Sequence, residues 1–251
     1  MPHTTQTRHP VRDITLTFTE EDHSYVDSRG LSYRSVTSLI KSAFPAFDST
    51  AHAVRIARDN GVHPDEVIAR WAAKARAAST YGTRCHEVAE ALLTGRVPHE
   101  PRDSKEAIAF ACIEAAVSRL RCFTLIGCEI VLFDPDLLIA GTTDLVMRTP
   151  DRVMIIDWKT NEEITTRAWN TGIGGLPNCA ATHYALQMSV YEEVMRRNGY
   201  IGDEPCDHVL IWIPPFSTRP KWMPMLYTPE ARNLLGVNDL EQGPRRSAFC
   251  N

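Results

Sequence analysis

The sequence lacks any run approaching the ~20 uninterrupted apolar residues that a membrane-spanning helix requires. It also lacks an excess of positive charge, since 27 Lys and Arg face 31 Asp and Glu for a net charge of −4. That balance excludes a polyanion binder of the histone type and confines any nucleic-acid contact to a local patch. No Cys-x-x-Cys pair occurs among Cys85, Cys112, Cys122, Cys128, Cys179, Cys206 and Cys250. An odd set with that spacing fits neither a zinc ribbon nor a secreted disulfide framework. A phosphate-cradling Gly-x-x-x-x-Gly-Lys-Ser/Thr loop is missing, so no nucleotide-driven motor is expected. With no apolar secretory leader, the expected compartment is the cytoplasm of a bacterial or phage-infected cell. The acid-free stretch Met1–Arg12, with Arg8 and Arg12, leaves a short organellar (mitochondrial) presequence as the alternative.

What is present is globular in character: 251 residues, 43% hydrophobic and 23% charged. Ile14–Phe18 alternates as a short strand, and Asp27-Ser28-Arg29-Gly30 supplies turn chemistry. Helical patterns start at Pro64, run from about Thr80 to Leu93 with Gly95 as the stop, and resume at Ser104. From Leu125 three strand-like runs follow, Leu125–Phe133, Leu137–Met147 and Val153–Lys159, joined by short Pro-containing turns that predict an antiparallel meander. A Gly-rich loop over Asn161–Thr182 precedes a helix at His183–Arg197, a strand at Val209–Ile213, and a last helix capped by Thr228-Pro229-Glu230 and ended by Gly236. The pattern predicts one mixed α/β domain over 1–251, its first half mostly helical: strands and helices in 1–80 as a DNA-binding elaboration, then a core over 81–240.

The most informative run is Ile139 to Val146 followed by Val153 to Thr160. Four apolar residues lead into Asp157, so a doubly buried strand ends in a carboxylate and an ammonium, which is costly without a purpose. Strand alternation sends Asp157 and Lys159 to one face and Trp158 to the other, leaving the Trp158 carbonyl near the site edge. The neighbouring strand can bring Asp144 alongside. Carboxylates and a carbonyl are hard oxygen ligands suited to Mg²⁺ or Mn²⁺, and a nearby lysine can orient water or offset phosphorane charge. A bare Asp-x-Lys is more often a surface ion pair, so the surrounding pattern matters. Upstream, His86 and Glu90 stand four residues apart on one helix face, as do Gln187 and Tyr191 downstream.

Taken in order, Gly82/His86/Glu90, Gly141/Asp144, Asp157/Lys159 and Gln187/Tyr191 resemble the RecB-type branch of the PD-(D/E)xK nuclease superfamily, over about Gly82 to Tyr191. The resemblance implies a restriction-endonuclease-like core of α/β (α+β) class, a central mixed sheet flanked by helices. It implies metal ligation by Asp144 and Asp157 with His86 as a further ligand, and a water-positioning Lys159. Glu90 would help the metal shell or His86, and Gln187 and Tyr191 would brace the site or touch the DNA backbone. Glu129 either faces the site or is solvated at the core edge. Relatives with an iron–sulfur cluster carry a closely spaced cysteine trio; Cys179, Cys206 and Cys250 are far apart, so no cluster is expected. The chain looks like a stand-alone nuclease, similar to phage-type or mitochondrial genome-maintenance exonucleases, a resemblance that His23-Ser24-Tyr25, Ser35-Val36-Thr37 and Phe44–Asp48 support.

Between residues 70 and 84 the chain carries Arg70, Lys74, Arg76 and Arg84 with no acid, a patch suited to phosphates despite the overall charge. Trp71 and Tyr81 lie within it; Trp71 reads first as a core residue, with base stacking as the other role open to both. The expected function is a Mg²⁺- or Mn²⁺-dependent exonuclease on single-stranded DNA or DNA ends in replication, recombination or repair, with replication or recombination proteins as expected partners. A structure-selective endonuclease, a non-catalytic DNA-binding module and a globular interaction protein are the alternatives.

Overall fold

The computed structural model describes residues 4–168 and 170–237. Cys250 and positions 238–240 of the expected core lie outside the described residues.

The chain opens with four short strands, β1 (Thr4–Arg8), β2 (Thr15–Thr19), β3 (Ser24–Asp27) and β4 (Ser32–Ser35), which pair antiparallel in sequence order. Helices α1 (Val36–Ser42), α2 (Ser49–Asn60), α3 (Pro64–Leu93) and α4 (Ser104–Leu120) follow. Then come β5 (Thr124–Asp134), β6 (Ile139–Arg148) and β7 (Val153–Lys159), the expected antiparallel meander. Helix α5 (Ala180–Arg197) crosses over to β8 (Cys206–Trp212), parallel to β7, before an antiparallel edge strand β9 (Lys221–Met225) and α6 (Glu230–Leu235). All nine strands join in one mixed sheet flanked by helices, the expected α/β architecture. Among the described residues, no helix is long and apolar enough to cross a membrane.

Strand β7 shows why the sheet holds. Val153 and Ile155 point into a core shared with α1, α5 and α6, whereas Met154, Ile156 and Trp158 point into a second core shared with α3 and α4. Burial on both faces is what its unbroken apolar run demands. Each of these side chains contributes roughly 1.5–3 kcal/mol of transfer free energy.

Strand β6 carries the feature that positions the site. One of its edges pairs with β5 along its whole length. The other edge is divided: Ile139 and Ala140 pair parallel with β4, and Leu145–Arg148 pair antiparallel with β7. The four residues between, Gly141, Thr142, Thr143 and Asp144, face a fork in the sheet with no strand partner on that edge among the described residues. A fork exposes side chains that a continuous ladder would cover.

Three elements depart from the sequence pattern. The helical patterns at Pro64 and Thr80 are one 30-residue helix that runs through position 80 without a break. Gly82, the weakest helix former in its interior, lies against the end of β7, where an added Cβ would meet Thr160 Oγ1 at 3.4 Å. Strand β9 contains Pro224, tolerated because the strand is at the edge of the sheet. Strand β1 is built from polar residues whose exposure hides any alternation.

The α3–α4 contact is fastened by Glu106, which is 2% exposed. It accepts hydrogen bonds from Arg84 Nε at 3.0 Å, from Arg102 Nε at 2.9 Å and from the Arg102 backbone N–H at 2.8 Å. The Arg102 guanidinium foremost, and Arg84 with it, outweigh the cost of burial and lower the Glu106 pKa to about 2. A lowered carboxyl pKa stabilises the fold above the ordinary value and loses that contribution as pH falls toward 2. Glu106→Gln should therefore cost about 2–3 kcal/mol at neutral pH. In urea unfolding the gap to wild type should narrow between pH 4.5 and pH 2, starting from the ordinary 4.5 of this carboxyl.

Candidate active site

The fork in the sheet collects most of the residues that the motifs single out. His86, in the last third of α3, directs Nδ1 to within 3.5 Å of Glu129 Oε1 and 3.6 Å of Asp144 Oδ2. Ligand atoms of His86, Glu129 and Asp144 all lie within 4.8 Å of one another. Asp144 is oriented by the Trp158 backbone N–H, which donates to its Oδ2 at 2.8 Å. Burial works against the His86 imidazolium, but Asp144 and Glu129 outweigh it and raise its pKa to about 9. One nitrogen and two carboxylates that stabilise a positive charge at their centre fit a divalent cation of the Mg²⁺ or Mn²⁺ class.

Glu129 occupies the strand position between two regular pairs, Cys128 with Leu145 and Ile130 with Thr143, and so lies across from Asp144. Its φ is +49°, a left-handed conformation that a non-glycine residue rarely adopts inside a strand. A strained residue at a carboxylate cluster points to a site maintained for function.

Asp157 lies alongside Asp144 with Lys159 on the same strand face, as the strand pattern expects. The β6–β7 register sets it next to Asp144, and its Oδ2 is in direct contact with Lys159 Nζ. The ammonium is two residues away on the same strand face, and pairing lets both charges be buried together. The structure thus adds Glu129 to His86 and Asp144, with Asp157 and Lys159 beside them. Burial and the adjacent Asp144 carboxylate push the Asp157 carboxyl up against the opposing pull of Lys159. Burial also disfavours the Lys159 charge, yet Asp157 and Asp144 more than compensate and hold it protonated. The Lys159 ammonium lies 4.7 Å from the centroid of the Tyr184 ring, whose hydroxyl donates to Asn161 Oδ1 at 3.1 Å. Neither Tyr184 nor Asn161 was expected from the motifs. The available signal was that Tyr184 stands three residues before Gln187, hence on a shared helix face.

Gln187 and Tyr191 form a brace. Gln187 Nε2 donates to the Tyr191 hydroxyl at 2.9 Å, and the Tyr191 ring fills the space beside Gly141. Tyr191 is 3% exposed, so the alternative in which it touches DNA is corrected: the ring is core. A Cβ on residue 141 would stand 2.8 Å from Tyr191 Cε1 and 3.2 Å from Val36 Cγ2. Gly141→Ala should cost about 1–3 kcal/mol by overpacking, read as a lowered thermal midpoint, and should lower activity by shifting the Asp144 backbone.

The remaining expected residues separate into two groups. Glu90 is drawn into an ion pair with Arg96 at 2.7 Å rather than into the carboxylate cluster. Trp158 buries its indole against α3 and α4 while its backbone N–H donates to Asp144 Oδ2. Arg84 is corrected from a DNA contact to a structural residue, because its guanidinium is committed to Glu106 and to the Glu100 carbonyl at 3.0 Å. Arg70, Lys74 and Arg76 are exposed along α3; Arg70 approaches Glu66 at 3.5 Å and Lys74 approaches Glu162 at 3.0 Å. Trp71 packs with Ala53, Ala57 and Val67 between α2 and α3, as its core reading expects. Tyr81 is half-buried against the α3–α4 core with Lys105 over its ring, which corrects its role as a base-stacking platform.

The site is therefore a candidate metal centre with an adjoining Asp–Lys pair, set in the fork of a mixed α/β sheet. Residues 110–213 match the family model described as the PD-(D/E)XK nuclease superfamily. This segment contains Glu129, Asp144, Asp157, Lys159, Gln187 and Tyr191, while His86 lies upstream of it. A solved structure titled "Crystal structure of SSO0001" is 15% identical, covering 56% of this chain and 69% of that chain, with a TM-score of 0.26. No curated protein matches the chain in sequence.

Proposed function

We propose that this protein is a divalent-metal-dependent DNA nuclease of the RecB-type branch, acting as an exonuclease on single strands or ends. The observation that supports it is the convergence of His86, Glu129 and Asp144 beside the Asp157–Lys159 pair, with the motif order of that superfamily. When bound by His86, Glu129 and Asp144, the cation supplies Lewis-acid stabilisation to the phosphoryl oxygens. Lys159 donates a hydrogen bond to the attacking water and opposes the charge that develops on phosphorus. Asp157 and the Tyr184 ring fix the direction of the ammonium. Gln187 and Tyr191 hold Gly141, and with it the Asp144 strand, in place.

Substrate reaches this centre along the outer part of α3, where Arg70, Lys74 and Arg76 are exposed. Their acidic neighbours are surface partners worth about 0–1 kcal/mol each, easily exchanged for phosphates. Two or three such contacts give a salt-sensitive grip, with a log–log slope on the order of −2 for a single strand. The test uses 5′- and 3′-labelled linear DNA, single-stranded and duplex, with closed circular DNA as control, in Mg²⁺, Mn²⁺ or EDTA. Mononucleotide or short-oligomer release from linear DNA, abolished by EDTA, is the expected outcome. Internal cuts in the circles would identify the endonuclease instead, and inert DNA in either metal would overturn the reading.

A further inference from the structure

A second group of metal-ligating side chains lies on β8 and α5, away from α3, β5 and β6. Cys206 and His208 stand two residues apart on β8 and so share a face, and Glu192 meets them from α5. Ligand atoms of the three lie within 4.8 Å of one another. His208 Nε2 is 3.0 Å from Glu192 Oε2, and both residues are nearly fully buried. The other Glu192 oxygen accepts from Arg196 Nε at 2.8 Å, which fixes the plane of the carboxylate. His208 Nδ1 is buried with no hydrogen-bond partner among the described residues. A buried imidazole with an unmet ring nitrogen, beside a thiol and a carboxylate, is under-explained by a simple ion pair.

We infer that Glu192, Cys206 and His208 form a structural binding site for a zinc-class cation, separate from the centre at the fork. Sulfur, nitrogen and oxygen donors are the set that Zn²⁺ accepts in tetrahedral geometry, with one position left for water or a further ligand. The hard oxygen-rich cluster of Glu129 and Asp144 suits a different class of ion, so the two sites are chemically distinguishable. His208 pairs with Ile155 and Trp212 with Lys159, which puts His208 four strand residues, about 13 Å, along the sheet from the level of Lys159. An ion here would staple α5 to β8. Because α5 carries Tyr184, Gln187 and Tyr191, the staple would steady the helix that braces the fork.

The test is a Co²⁺ titration of the EDTA-stripped full chain carrying His86→Ala, which removes a ligand of the other site. One equivalent should produce a near-ultraviolet thiolate-to-cobalt charge-transfer band, reversed by Zn²⁺ and absent when Cys206→Ser is added. Zinc-edge X-ray absorption of the unsubstituted protein is the second measurement, independent of whether Cys206→Ser folds, and should show one sulfur ligand. A titration without the band, a band that survives Cys206→Ser, or a zinc shell of oxygen and nitrogen alone would overturn the site and leave Glu192–His208 as a structural ion pair.

Discussion

Lys159→Ala should reduce DNA cleavage by about 10³-fold while leaving DNA affinity nearly unchanged, because the lost ammonium acts on the transition state and not on the bound strand. The same substitution has a second, separable effect. Asp157 is 3% exposed and in contact with Lys159, so removing the lysine leaves a buried carboxylate without its counter-charge. Breaking a buried pair from one side costs about 3–5 kcal/mol. The single variant should therefore melt well below wild type. The double variant Asp157→Asn/Lys159→Ala should recover most of that stability and none of the activity. Single-turnover cleavage, filter binding and thermal unfolding on the three proteins separate the two effects. Cleavage at the wild-type rate by stably folded Lys159→Ala would remove Lys159 from the mechanism.

Glu129→Gly should move activity and stability in opposite directions. The substitution removes one of three converging ligands, and metal affinity should fall on the order of 10²-fold with cleavage following it. It also puts glycine at a φ of +49°, where the side chain of Glu129 is held at a cost of about 1 kcal/mol or more. Loss of a carboxylate facing Asp144 further relieves like-charge repulsion in the absence of a cation. The thermal midpoint measured in EDTA should therefore rise or hold, while a Mn²⁺ titration shows weaker binding. A variant that unfolds early and still binds Mn²⁺ as tightly as wild type would contradict both halves of this account.

The contrast between Asp157 and Glu129 shows where local pattern stops being informative. Asp157 announces itself, since a carboxylate at the end of Val153–Ile156 is anomalous in any doubly buried strand. Glu129 carries no such mark: it interrupts β5 with a left-handed residue, and nothing in Gly127-Cys128-Glu129-Ile130 signals that turn. Arg84 fails in the other direction. It continues a basic series with Arg70, Lys74 and Arg76, yet its partner Glu106 comes from another helix 22 residues on. Tyr191 is a related case, where an amphipathic helix position is equally compatible with a solvent edge and with the space beside Gly141.

The amino-acid order alone determined the helices from Pro64 onward, the antiparallel meander, Asp144 within β6, the Asp157–Lys159 end of β7 and the Gln187/Tyr191 helix. Those rest on periodicity and on the cost of burying charge, both of which act within a few residues. Only the tertiary structure decided that β4 and β7 divide one edge of β6, that Glu129 joins His86 and Asp144 there, and that Arg84 belongs to the core. Such choices are settled by which distant groups can satisfy a buried charge or backbone edge, a competition played out across the whole folded chain.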